Sequence, residues 1–281
     1  MVGAVILVIG MQDGDLGEFA YNFNFVTSHY YKDVDRKELL HKAFSVVLDE
    51  LKDPYTQMLD EDFKNSMKNG DLNCQNNVSN TSKGDSYKNI TTKMFEQNNK
   101  KIAYIKMQAF TLDSAKNFKK KLDKLNKEHY DGLIIDLRGN LGGENANLVD
   151  IASLFLDSSK VICIDKFKTT TKIYYSHGDK TANYPIAILG NIDTASCSEI
   201  LICALQEGCN AKFIGTRTFG KNVAQICKET PNYYYKFTAA YWLTPSGKSI
   251  SKDGIKPDIE VYNVGDEDTQ LKTAIEYLTN K

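Results

Sequence analysis

Residues 132–143, Gly132-Leu-Ile-Ile-Asp-Leu-Arg-Gly-Asn-Leu-Gly-Gly143, decide the fold class of this chain. Their first half is a short, mostly apolar run that predicts a buried strand. The residues that follow show the period of one helix face, with apolar side chains at Leu148, Ile151, Ala152 and Phe155. A buried strand that passes through a glycine-bearing turn into a helix is the repeating unit of α/β architecture.

The same alternation continues on both sides of this segment. The sequence predicts strands at 102–107, 186–189 and 212–214, and helices at 114–125 and from Ser196 to about Gln206. Near the end, alternate residues predict a longer strand with one shared face, made by Tyr235, Phe237, Ala239, Tyr241 and Leu243. Leu271, Ala274, Ile275 and Leu278 predict a final amphipathic helix. We therefore expect an α/β layer fold from residue 93 to residue 281.

The amino-terminal third has a different character. Residues 15–68 predict a helical region in which Asp35 caps one helix and Asp53-Pro-Tyr-Thr56 ends it. Residues 69–92 are rich in Asn, Ser, Gly and Asp, which predicts a polar linker. Residues 1–14 include an apolar run too short to span a bilayer. That run is either the remnant of a signal or anchor segment or a short buried strand. The first alternative predicts a membrane tether through an upstream segment and an extracytoplasmic or cell-envelope enzyme.

Composition excludes several classes of function. The chain has 281 residues, 42% of them hydrophobic and 25% charged, as in ordinary globular proteins. Its net charge of −1 provides no basic surface for a phosphate backbone, so we expect no nucleic-acid partner. The six cysteines match no paired zinc signature, and we expect neither a metal nor a cofactor. Buried thiols are the expected state of the cysteines, with one or two disulfides as the alternative in an oxidising compartment.

Two turns and one helix start carry the candidate chemistry. In the turn 136–143, backbone N–H groups are free to point at an anion, as an oxyanion hole requires, although a tight structural turn explains the double glycine equally well. Ser196 stands where the strand-and-turn segment 186–195 meets a helix, where developing negative charge is stabilised. The alternative is that Ser196 or its neighbours only cap this helix. The chain offers no plausible histidine base, so a hydrolase built on Ser196 would transfer its proton to a lysine.

Lys221 is the candidate base, and it also raises a competing interpretation. The segment Gly215–Lys221 has the frame of a phosphate-binding loop, Gly-x-x-x-x-Gly-Lys. Asn222 stands where Ser or Thr would hold Mg²⁺, and residues 223–231 are too short and too limited by proline for the helix that such a loop requires. We therefore expect no nucleotide. A surface lysine in a turn is the remaining alternative.

Together these segments resemble a known family, the C-terminal processing or tail-specific serine peptidases. The resemblance rests on residues 130–143, the Ser196 segment, Phe219-Gly-Lys221 with Gln225, residues 243–250 with 254–261, and Leu51-Lys-Asp-Pro-Tyr-Thr56 with Met58-Leu-Asp60. It implies a ClpP/crotonase-like α/β catalytic core with an amino-terminal helical region. It also implies that Ser196 is the nucleophile, Lys221 the general base and Gln225 the residue that orients the lysine. The backbone N–H groups of Gly142 and Cys197 would form the oxyanion hole.

The resemblance implies a serine endopeptidase that acts on carboxyl-terminal or unfolded segments of polypeptides. Members of the family commonly carry a PDZ domain between the helical region and the core. Here only the polar residues 69–92 occupy that place, fewer than the roughly 50 residues of a small domain. Cys197 also stands where a small Ala is usual. The alternative is a catalytically silent peptide-binding scaffold of the same fold.

Overall fold

The structure is a computed structural model that describes residues 14–59, 89–143, 145–178, 180, 183–250 and 252–281. Residues 1–13, the end of the predicted helical region at 60–68, and most of the predicted linker at 69–92 lie outside the described residues. The chain divides into two units. One contains the residues up to Lys52 together with Thr230–Tyr233, and the other contains Asp53–Glu229 and Tyr234–Lys281.

Among its described residues, the first unit contains two helices, α1 (Gly14–His29) and α2 (Arg36–Asp49). Asp35 caps α2, because its Oδ1 accepts hydrogen bonds from the backbone N–H groups of Lys37 (2.9 Å) and Glu38 (3.0 Å). The described part of the predicted helical region is therefore helical up to Asp49. The ring of Tyr233 packs on that of Phe44 in the same unit, at 4.9 Å between ring centroids.

The second unit holds the other helices and strands of the described residues. In chain order they are β1 (Gln57–Met58), β2 (Ile90–Gln97), β3 (Lys100–Met107), α3 (Ser114–Asn126), β4 (Gly132–Asp136), α4 (Asn145–Ser153), β5 (Val161–Phe167), β6 (Thr171–Tyr175), β7 (Ile186–Gly190), α5 (Cys197–Cys209), β8 (Lys212–Gly215), β9 (Val223–Glu229), β10 (Tyr234–Leu243), β11 (Ile259–Glu260) and α6 (Thr269–Thr279). Strand β2 begins inside the segment predicted as linker. Its first residue, Ile90, is 1% exposed and belongs to the core.

A six-stranded sheet in the order β11-β8-β7-β4-β3-β2 forms the centre of this unit. All its strand pairs are parallel except β2 with β3, so the predicted α/β architecture is confirmed. Side chains alternate across the sheet. Ile135 and its neighbours on one face join a core with residues of α3, α4 and α5, whereas Ile134 on the other face joins a core with residues of α6. The parallel strands position the turns that follow β4 and β7.

A second, antiparallel sheet lies in the order β1-β10-β5-β6, with β9 also paired to β10. Among these strands, only β10 was predicted from the sequence. None of the five residues predicted to share a face of β10 is buried, whereas Lys236, Ala240 and Trp242 are buried. Thr238 lies opposite Gln225 of β9, just before an irregularity in the ladder. Within the described ranges, every helix is too short or too polar to cross a bilayer.

Candidate active site

Ser196 occupies a strained position between β7 and α5. It is the N-cap residue of α5, with φ 57° and ψ −120°, in a region that residues with a side chain rarely adopt. Such backbone strain costs about 1–3 kcal/mol and persists only where surrounding structure imposes it. Strained strand-to-helix turns are used elsewhere to present nucleophilic serines. The predicted cap position is therefore correct, and it does not exclude a chemical role.

The two predicted turns meet at this position. Ala195 N donates to Asn140 O (3.0 Å), and Thr194 Oγ1 donates to Leu137 O (2.9 Å). Gly142, at φ +93°, lies so close that a Cβ there would be 2.9 Å from Ser196 Cβ and 3.0 Å from Cys197 N. Only glycine fits such a contact. The predicted oxyanion-hole residues Gly142 and Cys197 are thus neighbours in space.

The N–H of Gly142 does not point into an open site. It donates to Asn140 Oδ1 at 2.9 Å, within its own turn. This differs from the expectation that the N–H groups of the turn are free. Cys197 is the first residue of α5, where N–H groups have no acceptor within the helix. Its Sγ lies 3.1 Å from Gly143 O and 2.9 Å from Asn145 Oδ1, and either oxygen can accept the single S–H, so the sulfur is directed into the protein.

A buried carboxylate, Glu199, joins the serine turn to the lysine loop. Its Oε2 accepts hydrogen bonds from Ser196 N (2.8 Å) and Lys221 N (3.0 Å). Its Oε1 accepts from Thr218 Oγ1 (2.6 Å) and Gly220 N (2.8 Å). The backbones of Ser196 and Lys221 therefore share one oxygen atom, and Glu199 itself is fully buried.

The charge state of Glu199 follows from its partners. Three of the four are backbone N–H groups, which can only donate, so the ionised carboxylate fits them best. Burial raises the pKa of Glu199 above its ordinary value, although its four donors act to lower it. Glu199 was not predicted from the sequence as a site residue. The signal that could have found it is Ser196-x-x-Glu199, the spacing of a capping box at a helix start.

Lys221 is a buried lysine, 5% exposed, and not the surface residue of the alternative interpretation. Burial lowers its pKa from 10.5 to about 8, and the positive charge of Lys236 acts in the same direction. Lys236, also 5% exposed, was not identified from the sequence. Burial lowers the pKa of Lys236 as well. A lysine that titrates near 8 is partly neutral at neutral pH and can accept a proton.

Gln225 lies on β9 and is buried. Its Nε2 lies 3.5 Å from Thr238 Oγ1, a long hydrogen bond across the β9–β10 pair. The predicted role of Gln225 in orienting Lys221 stays a prediction. This role requires a neutral group that can form a hydrogen bond with the lysine head, and a glutamine amide is such a group.

The geometry of the lysine loop argues against a phosphate-binding loop. The N–H groups of Gly220 and Lys221 are directed at the Glu199 carboxylate, so they are not available to phosphate oxygens. Val223 begins the strand β9 where a phosphate loop requires a helix. Among the residues that the structure describes, no group of three or more His, Cys, Asp and Glu side chains is placed to hold a metal ion.

A cavity of about 480 Å³ lies near the turn after β4, and its lining includes Arg138, Gly139 and Asn191 but none of the five predicted site residues. Arg138, which belongs to the segment 132–143, has a structural role. Its guanidinium forms ion pairs with Asp136 and with Asp268, the cap of α6, each at 2.6 Å. The arginine thus connects the end of β4 to the start of α6.

Fold and site together define the class: an α/β protein in which a strained serine at a helix start and a buried lysine donate their backbone N–H groups to one carboxylate oxygen. The particular family follows from sequence comparison. A sequence model of peptidase family S41 matches residues 101–261, and the chain belongs to that family. The prediction of a C-terminal processing peptidase family is confirmed at this level.

Similar proteins agree with this assignment. The chain is 32% identical over 203 residues to the carboxy-terminal processing protease CtpA of Bacillus subtilis, covering 66% of this chain and 44% of that protein. It is 33% identical over 199 residues to a carboxyl-terminal-processing protease of Picosynechococcus sp., covering 68% of this chain and 48% of that protein. The matches therefore span less than half the length of these relatives.

Solved structures show the same fold at lower identity. The photosystem II D1 C-terminal processing protease aligns with a TM-score of 0.57 at 23% identity, covering 66% of this chain and 49% of that chain. A lipoprotein from Streptococcus agalactiae aligns with a TM-score of 0.58 at 18% identity, covering 81% and 76%. At these identities the structures support the fold and no particular activity.

Proposed function

We propose that this chain is a serine endopeptidase that hydrolyses peptide bonds in carboxyl-terminal or unfolded segments of proteins through Ser196 and Lys221. The observation that carries the proposal is the buried Lys221, whose pKa is lowered to about 8. Its backbone N–H and that of Ser196 both donate to Oε2 of Glu199. Membership of peptidase family S41 and similarity to carboxyl-terminal processing proteases support the same reaction.

In the proposed mechanism, neutral Lys221 takes the proton of Ser196 Oγ as the oxygen attacks the scissile carbonyl carbon. The protonated lysine then gives this proton to the leaving amine, and an acyl-serine remains. Lys221 next takes a proton from a water molecule, which attacks the acyl carbonyl. The resulting tetrahedral intermediate collapses, Ser196 Oγ leaves and takes the proton held by Lys221, and the carboxylic acid product is released and loses its remaining proton to solvent. Gln225 orients the lysine without altering its charge.

The oxyanion of each tetrahedral intermediate is stabilised at the start of α5 by the N–H of Cys197. The N–H of Gly142 contributes when substrate binding moves it away from Asn140 Oδ1. The close contact of Gly142 with Ser196 Cβ and Cys197 N supports this arrangement, because both donors lie beside the nucleophile. The burial and strain at Ser196 supply preorganisation before substrate arrives.

The substrate in this proposal is a polypeptide tail or unfolded segment. The names of the relatives support carboxyl-terminal processing, and we infer that residues 69–92 are too few to provide a PDZ domain for capture of the tail. We also propose an extracytoplasmic location in a bacterium. The curated relatives are bacterial, and Cys227 is disulfide-bonded, which fits an oxidising compartment. Four other cysteines, Cys163, Cys197, Cys203 and Cys209, are free thiols.

Hydrolysis of an unfolded protein such as reduced casein tests the proposal. We expect the wild-type chain to cleave it, and Ser196→Ala and Lys221→Ala to be inactive. Lys221→Arg is expected to be inactive too, because a guanidinium does not release its proton near neutrality. Ser198→Ala is the matched control. Ser198 is buried two residues from the nucleophile, and its Oγ has no hydrogen-bond partner among the described residues, so we expect full activity.

The second candidate function is a peptide-binding scaffold of the same fold. It predicts that the wild-type chain binds carboxyl-terminal peptides without cleaving them and that Ser196→Ala binds equally well. The retained Ser196 and the lowered pKa of Lys221 favour the peptidase, because a scaffold gains nothing from burying a lysine in this way. Full activity in purified Lys221→Ala would rule out the Ser/Lys dyad.

A further inference from the structure

An aromatic ring lies against the proposed general base. Lys221 Nζ is 5.1 Å from the centroid of the Tyr55 ring, within the range of a cation–π interaction. Tyr55 belongs to the turn Asp53–Thr56, which precedes β1 and lies in the same unit as the dyad. Burial raises the pKa of Tyr55, so the ring is neutral at neutral pH. Neither the predicted site nor the proposed mechanism uses this residue.

Hydrogen bonds fix the turn that carries the ring. Asp53 Oδ1 accepts from Tyr55 N (3.1 Å), and Asp53 Oδ2 accepts from Thr56 Oγ1 (2.6 Å). Burial raises the pKa of Asp53, but hydrogen bonds with Thr238 and Thr56 hold it below its ordinary value, so the carboxylate is ionised. A charged acceptor makes such bonds stronger than neutral ones. The turn is therefore a rigid support and not a free loop.

The turn is anchored to the strand that also contacts Gln225. Thr238 N donates to Thr56 Oγ1 at 3.1 Å, and Thr238 Oγ1 is the group that Gln225 Nε2 approaches at 3.5 Å. One residue of β10 thus contacts both the turn that holds Tyr55 and the glutamine predicted to orient the lysine. The ring, the lysine and the glutamine are parts of one connected arrangement.

We propose that Tyr55 is a positioning residue for Lys221: its ring face holds the lysine head in place and is itself held by the Asp53–Thr56 turn through Thr238. The catalytic consequence rests on the proposed function, whereas the contact between ring and lysine does not. A base that is mispositioned by about 1 Å can lose up to ~100-fold in rate, so support of this kind matters for a flexible lysine side chain.

The ring acts on the protonation of Lys221 in two opposite ways. Its quadrupole attracts the ammonium, which raises the pKa, and its bulk excludes water, which lowers the pKa. Among the described residues, the charged groups that act on the pKa of Lys221 include Lys236, Cys197, Glu199 and Asp53, and substitutions at Tyr55 leave all four in place. Variants at Tyr55 can therefore separate the two effects.

Three variants give three different expectations for the pKa of Lys221. Tyr55→Phe keeps ring and bulk, so the pKa stays at the wild-type value. Tyr55→Leu keeps an apolar cover but removes the quadrupole, so the pKa falls by about 0.5–1 units. Tyr55→Ala admits water, so the pKa rises toward 10.5. Tyr55→Met provides a second apolar cover should the leucine variant fail to fold. A residue that only stabilises the fold would not produce this pattern of opposite signs.

The experiment is a heteronuclear NMR titration of the Lys221 ε-methylene group, assigned by its absence from Lys221→Met, with the folded state of each variant checked by circular dichroism. Tyr235→Leu is the matched control. Tyr235 pairs with Met58 in the same β1–β10 ladder, and its side chain points to the opposite face from Lys236 and Thr238. Tyr235→Leu can therefore loosen the ladder without changing the contact between Tyr55 and Lys221. We expect this control to leave the Lys221 pKa unchanged.

Phosphonylation of Ser196 by a fluorophosphonate, in which Oγ bonds to phosphorus and fluoride leaves, separates this inference from the proposed function when it is measured on the same samples at saturating pH. We expect at least a ~10-fold loss of the phosphonylation rate in Tyr55→Leu, with the wild-type rate retained in Tyr55→Phe. Unchanged pKa and unchanged phosphonylation in Tyr55→Leu would overturn the role of Tyr55 while the dyad stands. The expected pKa pattern among the variants, together with a wild-type protein that the probe does not modify, would support the contact and refute the peptidase.

Discussion

Replacing Lys221 by methionine is expected to stabilise the folded protein at neutral pH while abolishing catalysis. Methionine has a similar length, carries no charge and fits an apolar environment. Burial lowers the pKa of Lys221 from 10.5 to about 8, and a lowering of this size corresponds to about 3 kcal/mol that the folded state loses when the lysine is charged. The variant is free of that cost.

The pH dependence follows from the sign of the shift. Below pH 8 the lysine is protonated in both folded and unfolded chains, so the wild-type protein bears the full cost. Between pH 8 and 10.5 the unfolded chain binds one more proton than the folded one, so wild-type stability rises with pH. The advantage of Lys221→Met should therefore fall from about 3 kcal/mol at pH 7 to about 1.5 kcal/mol at pH 9.5.

Urea unfolding followed by the fluorescence of Trp242, the single tryptophan, measures this difference. Trp242 is 1% exposed and lies in the same unit as Lys221, so its signal reports on that unit. Lys101→Met is the control, because the Lys101 side chain is about half exposed and its removal should produce no comparable dependence on pH. A Lys221→Met protein that is less stable than wild type at pH 7, or a difference independent of pH, would refute the reasoning.

Three further predictions test the surroundings of the dyad. Glu199→Gln should lower the free energy of unfolding, measured in urea titrations, by about 3 kcal/mol and should reduce acylation of Ser196. The reason is that an amide cannot accept all four hydrogen bonds that the carboxylate accepts. A variant as stable as wild type would contradict this. Gly142→Ala should be inactive in peptide hydrolysis and less stable, because the new Cβ would lie 2.9 Å from Ser196 Cβ; an active variant would exclude the close approach. Ser196→Gly should be more stable than the equally inactive Ser196→Ala by about 1 kcal/mol in thermal unfolding, because glycine relieves strain at φ 57°; equal stability would argue against strain.

The four inner strands of the central sheet, β3, β4, β7 and β8, could be predicted from the sequence because they are largely buried on both faces, unlike the edge strands β2 and β11. Such strands form continuous apolar runs, as at β4 and β7, and the helices between them show a clear period. The antiparallel sheet gave no such signal. Strand β9 alternates poorly and is largely exposed at its end, and β6 has no buried residue. Their position depends on pairing with β10, which is a tertiary contact.

The candidate site was predictable in its residue types and less so in its contacts. Ser196 and Lys221 stand in recognisable local segments, whereas the carboxylate that joins them belongs to a residue whose local pattern also fits an ordinary helix cap. The contact of Tyr55 with Lys221 and the proximity of Lys236 link residues far apart in the chain, and no local spacing encodes them. The engagement of the Gly142 N–H by Asn140 likewise depends on one side-chain conformation.

The pH dependence of Ser196 phosphonylation by a fluorophosphonate probe is the most direct test. The probe is added to wild type, Ser196→Ala and Lys221→Ala between pH 6 and 11, and the rate of mass increase is followed on the intact protein, with peptide mapping to locate the adduct. We expect an adduct on Ser196 whose rate of formation rises with pH to a plateau with a midpoint near 8, and no adduct in either variant. Phosphonylation of wild type and Lys221→Ala at the same rate, or a midpoint near 10.5, would contradict the claim that Lys221 is a neutral base in this site.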